Sequence, residues 1–285
     1  MENKFNQTTN SSHKVKVGSV TIGGPEFTVI AGPCSIESRS QFLETATEVK
    51  KAGASILRGG IFKLRTSSKA FQGLGAEAYD FIPEVCKLTQ MGLVSEVTDA
   101  RQIEELHDIV DMYQVGSRNM HNYSLLKELG QTKKPILLKR GFSALIDEWI
   151  KAADYIIQGG NENVILCERG IRTFETATRN TLDLNAVAYI KHNTQLPIIV
   201  DPSHAVGISA LVPDLAIASA AMGCDGIIVE VHPRPAEALS DGMQALTPAQ
   251  FKIMMDKINK ILTALGRSLT PAPGLNSIDA DHLKY

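Results

Sequence analysis

Eight short runs of aliphatic and β-branched residues, recurring between positions 28 and 231 with helical patterns between them, limit what this chain can fold into. The runs are TVIAG (28–32), SILRG (55–59), LVSEV (93–97), DMYQVG (111–116), PILLKR (135–140), NVILCE (163–168), PIIVDP (197–202) and GIIVEV (226–231). Most are too continuously apolar for a sheet with one wet face and suit parallel strands covered on both sides. The intervening helices carry their own punctuation. Ser38 with Gln41 reads as a capping box, Phe42, Leu43, Ala46, Val49 and Ala52 form one face, and Gly53 ends that helix. Thr247, Pro248 and Gln250 open the last helix before Phe251, Met254, Ile258 and Ile261. Eight βα units predict a (β/α)8 TIM barrel. A doubly wound sheet would bring a Gly-rich fingerprint after the first strand, and AGPCSIES is not one. Ahead of the barrel, VKVGSVTIGG alternates around Gly18-Ser19 and predicts a short N-terminal β-hairpin capping the barrel bottom. The expected organisation is a disordered polar leader at 1–13, one barrel with its hairpin at 14–265 and a tail at 266–285.

At the C-terminal ends of the eight runs stand Cys34, Arg58, Glu96, Arg118, Lys139, Arg169, His204 and Glu230, one from each unit. A barrel brings these positions to one face, where the βα loops build an active site. An ion-pair network is the structural alternative, but the rim holds more cations than carboxylates and calls for an anionic ligand. Arg58, Lys63 and Arg65 crowd the stretch ILRGGIFKLRTSS (56–68), although the chain's formal net charge is only -2. So balanced a chain gives no reason to expect a nucleic-acid or acidic-membrane partner, and the anion is expected to be small. No apolar run reaches the ~18 residues of a spanning helix and the N-terminus lacks a signal-peptide core, which predicts a cytoplasmic protein. Cys34, Cys86, Cys167 and Cys224 show no CxxC spacing, so neither a disulfide framework nor a structural zinc site is expected.

The same rim holds a candidate metal set. Cys34 offers a thiolate, His204 an imidazole, and Glu230 and Asp241 carboxylates, with His232 or Asp201 as possible substitutes. Mixed sulfur, nitrogen and oxygen donors suit one divalent ion of the Mn²⁺, Fe²⁺, Co²⁺ or Zn²⁺ kind and not a dedicated Ca²⁺ or Mg²⁺ cage.

The motifs AGPCSIES, LRGG, KLRTS, QVGSRNMHN, LLKRG, ERGIRTFE, DPSHAVG and EVHPRPAEALSDGMQAL carry a resemblance. Together they resemble the 3-deoxy-D-arabino-heptulosonate 7-phosphate synthases, in the group related to 3-deoxy-D-manno-octulosonate 8-phosphate synthase. The likeness implies condensation of phosphoenolpyruvate with erythrose 4-phosphate, release of phosphate, and entry into the shikimate pathway. It implies a metal on Cys34, His204, Glu230 and Asp241. Arg118 and Arg169 would hold the phosphate of phosphoenolpyruvate, with Arg58, Lys63 and Lys139 around its carboxylate and reacting carbon. Arg65 and Thr66 would take the sugar phosphate, and Glu96 with Lys139 would order the attacking water. A homodimer or homotetramer is the family expectation.

Leu64 stands where the family usually has proline, so φ in that loop is not fixed by a ring. The octulosonate relatives carry Lys-Ala-Asn-Arg-Ser, whereas Lys63 and Arg65 are separated by Leu64 alone. The shorter spacer points to the four-carbon acceptor, with arabinose 5-phosphate as the alternative. Fewer than thirty residues precede the first barrel run, too few for the added regulatory domains of some relatives. No inhibition by phenylalanine or tyrosine is therefore expected of this chain alone. Two further readings are a metal-free aldolase with Lys139 as Schiff-base nucleophile, and a barrel that binds phosphorylated ligands without turnover.

Overall fold

The computed structural model describes residues 12–65, 67 and 69–274. Most of the polar leader, Thr66, Ser68 and residues 275–285 of the tail lie outside the described residues. The chain opens with β1 (Val15–Val17) and β2 (Val20–Ile22), an antiparallel hairpin turning at Gly18 and Ser19. Then follow β3 (Thr28–Gly32), α1 (Arg39–Lys51), β4 (Ile56–Arg58), α2 (Ile82–Thr89), β5 (Gly92–Glu96), α3 (Gln102–Glu105), β6 (Met112–Val115) and α4 (Tyr123–Gly130). The second half contains β7 (Ile136–Lys139), α5 (Ile146–Gln158), β8 (Val164–Glu168), α6 (Leu184–Asn193), β9 (Ile198–Val200), α7 (Pro202–Val206), α8 (Val212–Met222), β10 (Gly226–Glu230) and α9 (Pro248–Ala264). Strands β3 to β10 pair in parallel with their sequence neighbours, and β10 closes on β3. All eight apolar runs are strands of this barrel.

Side chains alternate across a strand, so each run feeds two cores. One set, including Val29, Leu57, Leu93, Leu138, Leu166 and Val200, packs outward with the helices. The other set, Ile30, Ile56, Val94, Met112, Leu137, Ile165, Ile199 and Ile228, shares a separate buried cluster with Val15, Val17, Val20 and Ile22 of the hairpin. The hairpin thus plugs the barrel interior from below. Two positions after those inner residues, on the same face and one layer higher, come Arg58, Glu96, Gln114, Lys139, Asp201 and Glu230. The apolar plug sets the floor of a cleft whose walls are polar.

Helix ends follow the sequence, with one difference. At α9 the capping box is complete: Gln250 N–H donates to Thr247 Oγ1 at 3.3 Å and Thr247 N–H to Gln250 Oε1 at 2.9 Å. At α1 the Ser38 hydroxyl caps Gln41 N–H at 3.1 Å, but Gln41 Oε1 accepts from Glu37 N–H at 3.4 Å, so only half of the predicted box forms. Thr247→Ala is expected to lower stability by about 1 kcal/mol, measured as a shift in the urea midpoint, because it leaves the Gln250 N–H without its cap. Beyond α9 the described part of the tail runs back beside Phe27, whose N–H donates to Ser268 O at 2.8 Å and whose carbonyl accepts from Thr270 N–H at 2.9 Å. Among the described residues no helix is long and apolar enough to cross a membrane.

Candidate active site

The C-terminal ends of the strands open into a cleft lined by Cys34, Arg58, Lys63, Arg65, Glu96, Arg118, Lys139, Arg169, His204 and Asp241. Arg58, Glu96, Lys139 and Glu230 are the last residues of β4, β5, β7 and β10; Cys34, Arg118, Arg169 and His204 stand in the segments that follow theirs. At the base of the cleft, one donor atom each from Cys34, His204, Glu230 and Asp241 lies within 4.8 Å of all the others. Three different kinds of backbone bring these donors together. Glu230 ends a strand, and His204 rides on α7, whose N-cap Asp201 accepts its N–H at 2.9 Å. Asp241 takes a left-handed conformation, φ 47°, which is uncommon outside glycine and marks a side chain aimed at a cost in backbone strain.

The protonation states of this cluster fit a metal ion. Burial pushes the His204 imidazole down to about 4, so it is neutral near pH 7 despite the opposing pull of Asp201. Its Nδ1 lies 2.7 Å from Asp201 Oδ2 and donates there. Nε2 then presents a lone pair 3.2 Å from Glu230 Oε1, a buried oxygen that receives no hydrogen bond among the described residues and has Arg58 Nη2 3.2 Å away. Two facing acceptors repel unless a cation lies near both. Glu230 is held below the ordinary carboxylate range: burial opposes this, but His204, Arg58 and Lys63 outweigh it. In Asp241 burial is likewise outweighed, chiefly by Lys63, whose ammonium lies 2.8 Å from Oδ2 and also contacts Cys34 Sγ. Burial, reinforced by Glu230, pushes the Cys34 thiol up to about 12. A soft thiolate, one imidazole and two carboxylates are a donor set for a borderline first-row ion.

The cations divide by partner. Arg58 lies 3.2 Å from Glu230 and donates to Cys34 O at 3.4 Å, while its buried Nε and Nη1 have no acceptor among the described residues. Lys139 Nζ lies 2.5 Å from Asp201, and Arg65 Nη1 is 4.0 Å from Asp241. Arg169 donates to the Gly170 and His204 carbonyls at 3.3 and 3.1 Å, and its pKa is lowered to about 10, chiefly by burial. Glu96 is raised by burial, against Lys139, Lys63 and Arg58. It packs against Gly116, where a Cβ would displace the Glu96 carboxylate from its place in the cleft. Several rim charges are thus ion-paired, as the structural alternative foresaw, yet the Arg58 donors are left for something else. Thr66 lies outside the described residues.

Sequence reasoning missed the supports. Asp201, considered only as a substitute ligand, instead holds both Lys139 and the His204 ring. His232 is also not in the cluster: its Nε2 lies 3.3 Å from Glu37 and its Nδ1 accepts from Arg234 N–H at 3.0 Å. Gln244 donates to Glu230 Oε2 at 2.6 Å and accepts from Arg179 at 2.8 Å, fixing which oxygen faces the cluster. The DGMQ stretch places Gln244 three residues after Asp241, a spacing that signals proximity but no role.

Comparison with known proteins gives a consistent picture. Residues 6–264 match the DAHP synthetase I family. A phospho-2-dehydro-3-deoxyheptonate aldolase of Thermotoga maritima is 46% identical over 252 residues, spanning 88% of this chain and 75% of that protein. A crystal structure of that Thermotoga aldolase superposes with a TM-score of 0.89 at 43% identity, over 94% of this chain and 79% of the other. A truncated Thermotoga 3-deoxy-D-arabino-heptulosonate 7-phosphate synthase gives 0.86 at 42% identity, over 93% and 98%. More distant is a 2-dehydro-3-deoxyphosphooctonate aldolase of Nitrobacter winogradskyi, 30% identical over 289 residues, 94% of this chain and 99% of that protein.

Proposed function

The chain belongs to the DAHP synthetase I family, and we propose that it condenses phosphoenolpyruvate with D-erythrose 4-phosphate and water to give 3-deoxy-D-arabino-heptulosonate 7-phosphate and inorganic phosphate. The observation that carries this reading is that one cleft joins a four-donor metal-capable cluster to a wall of cations whose buried Arg58 donors are unmatched among the described residues. Buried guanidinium donors without acceptors are costly unless an anion supplies them, and both substrates are anions.

Arg118 and Arg169 bind the phosphate of phosphoenolpyruvate, and Arg58, Lys63 and Lys139 orient its carboxylate. Arg65 and Thr66 hold the sugar phosphate so that the aldehyde carbon lies against C3 of the enolpyruvate. Cys34, His204, Glu230 and Asp241 would hold one Mn²⁺, Fe²⁺, Co²⁺ or Zn²⁺ ion, which when bound supplies Lewis-acid polarisation of the aldehyde oxygen. C3 attacks the aldehyde carbon, forming the new C–C bond and leaving positive character at C2. Glu96 and Lys139 hold the water that adds there. The C2 hydroxyl so formed then closes to a carbonyl as the C2–O bond to phosphate breaks, its proton leaves with the phosphate, and the phosphate stays on the guanidinium groups of Arg118 and Arg169. Lys139 serves as a charge and not as a Schiff-base nucleophile, since its Nζ is engaged with the buried Asp201 carboxylate at 2.5 Å. A closed homo-oligomer and a cytoplasmic setting belong to the same reading.

The test is phosphate release from phosphoenolpyruvate with erythrose 4-phosphate and arabinose 5-phosphate in parallel. The spacer between Lys63 and Arg65 is one residue shorter than in the octulosonate pattern, a difference of about 3.3 Å if the loop is extended. Since a misplacement of ~1 Å can cost ~100-fold, erythrose 4-phosphate is expected to exceed the pentose by at least about that factor in kcat/KM. Arg65→Ala should raise the KM for the sugar phosphate far more than that for phosphoenolpyruvate. Equal use of the two sugars would refute the spacing argument, and absence of turnover with either would refute the reading itself.

A further inference from the structure

Phe142 carries no chemistry of its own, yet three cations gather on it. It follows β7 and its ring lines the cleft. The guanidinium carbons of Arg169, Arg172 and Arg118 lie over that ring, 4.7, 5.0 and 5.4 Å from its centroid. The Phe142 carbonyl also accepts the Arg172 N–H at 2.7 Å, tying the segment after β7 to the one after β8. Among the described residues, neither Arg169 nor Arg172 lies within 4.0 Å of a carboxylate; the Arg169 guanidinium donates to the backbone carbonyls of Gly170 and His204. Like charges so placed repel one another, and the aromatic face offsets part of that repulsion before substrate binds, beside the longer-range pull of Asp201 and Glu168 on Arg169.

We propose that Phe142 is a positioning residue for the phosphate of phosphoenolpyruvate, acting as a shared platform for Arg118, Arg169 and Arg172, and that Arg172 is a third guanidinium of that site. The inference rests on the function proposed above. Its physical basis is a division of labour within each guanidinium. The ring engages the π-face of the cation, while the N–H donors lie in the guanidinium plane at its edge, where contact with the ring does not use them and bidentate bonds to phosphate oxygens are formed. A platform shared by three arginines also sets their mutual spacing, which three independently flexible side chains would have to reach at an entropic cost. Arginine suits this arrangement better than lysine because it offers a planar face and a fork of donors at once.

The test compares Phe142→Leu, Phe142→Tyr and Arg172→Gln in the metal-loaded enzyme, with KM for each substrate and kcat measured separately. Phe142→Leu keeps bulk but removes the ring. It is expected to raise the KM for phosphoenolpyruvate about tenfold, with a much smaller change in the KM for erythrose 4-phosphate and in kcat. Phe142→Tyr, which retains the aromatic face, should recover most of that loss. Arg172→Gln should raise the same KM by about fivefold. A Leu variant with the parent KM overturns the platform, and so does a Tyr variant as impaired as the Leu variant, which would show that packing alone is at stake. A parent-like KM in Arg172→Gln overturns the third guanidinium. Should the unmodified protein release no phosphate, the functional reading fails; calorimetric binding of phosphoenolpyruvate to the same variants still reads the Phe142 effect on its own.

Discussion

Dialysis against a chelator is expected to abolish phosphate release, and added Mn²⁺ to restore it, because the aldehyde oxygen loses its only proposed Lewis acid. The sharper result concerns Cys34. Without a cation the thiol is protonated, pushed up to about 12 by burial and by Glu230, so binding an ion must expel that proton. His204 is already neutral and both carboxylates are already ionised near pH 7, so they release none. Calorimetry in buffers of different ionisation enthalpy should therefore report about one proton released per ion, and affinity should rise about tenfold per pH unit around neutrality. Cys34→Ser removes the only sulfur donor, and a hydroxyl does not ionise on a divalent ion as readily as a thiol. Affinity should fall by more than about 100-fold, beyond what loss of an outer-shell support such as Gln244 brings. The sulfur-to-metal charge-transfer absorption of the Co²⁺-loaded protein should vanish with it. A Ser variant that keeps this absorption, or full activity after exhaustive chelation, would end the four-donor assignment.

Much of the barrel could be read from residue patterns because each βα unit repeats the same physics. A short apolar run fills two cores at once, and a polar residue at its end marks the mouth. The phase within each run was legible too, since Ile56 and Arg58, or Leu137 and Lys139, share a face by strand parity. The metal set was less so. Cys34 and Asp241 lie in irregular segments, and from residue type alone His232 and Asp201 were equal candidates; only resemblance to a known family separated them. What distinguishes them in space is where their other atoms go: both nitrogens of His232 are taken by Glu37 and Arg234, and Asp201 is shared by His204 and Lys139. Phe142, Arg172 and Gln244 were missed because their roles are relational. A phenylalanine reads as core until three guanidinium groups are found around it, and a glutamine reads as surface until its amide is found on a buried carboxylate. No one-dimensional pattern records such relations.

Parity also identifies the residue whose loss should cost the most stability. Arg140 follows Lys139 directly and so points out of the barrel, between strands and helices, where it is 4% exposed. Its Nη1 donates to Glu168 at 3.0 Å and Asp183 at 2.8 Å, its Nε donates to Ala144 O at 3.1 Å, and its guanidinium lies over Trp149. Glu168 is fully buried, and its other oxygen accepts the Gly170 N–H at 2.7 Å, so the pair also anchors the segment that carries Arg169. Arg140→Met keeps volume but strands a buried carboxylate, which typically costs about 3–5 kcal/mol, far beyond the ~1 kcal/mol of an exposed pair. The deficit should depend on pH with a definite sign. Burial, opposed by Arg140, already raises Glu168 above the ordinary value of 4.5, and without the arginine it rises further. Over the window between that raised value and the unfolded one, the folded variant binds more protons than its unfolded chain, so its stability climbs as pH falls. The gap to the parent protein should therefore narrow on acidification, and Glu168→Gln added to Arg140→Met should recover part of the loss at neutral pH, where a neutral amide needs no cation. Urea unfolding midpoints across pH 5 to 8 measure both effects. A single variant within about 1 kcal/mol of the parent, or a deficit that widens as pH falls, would show that Glu168 finds its counter-charge elsewhere.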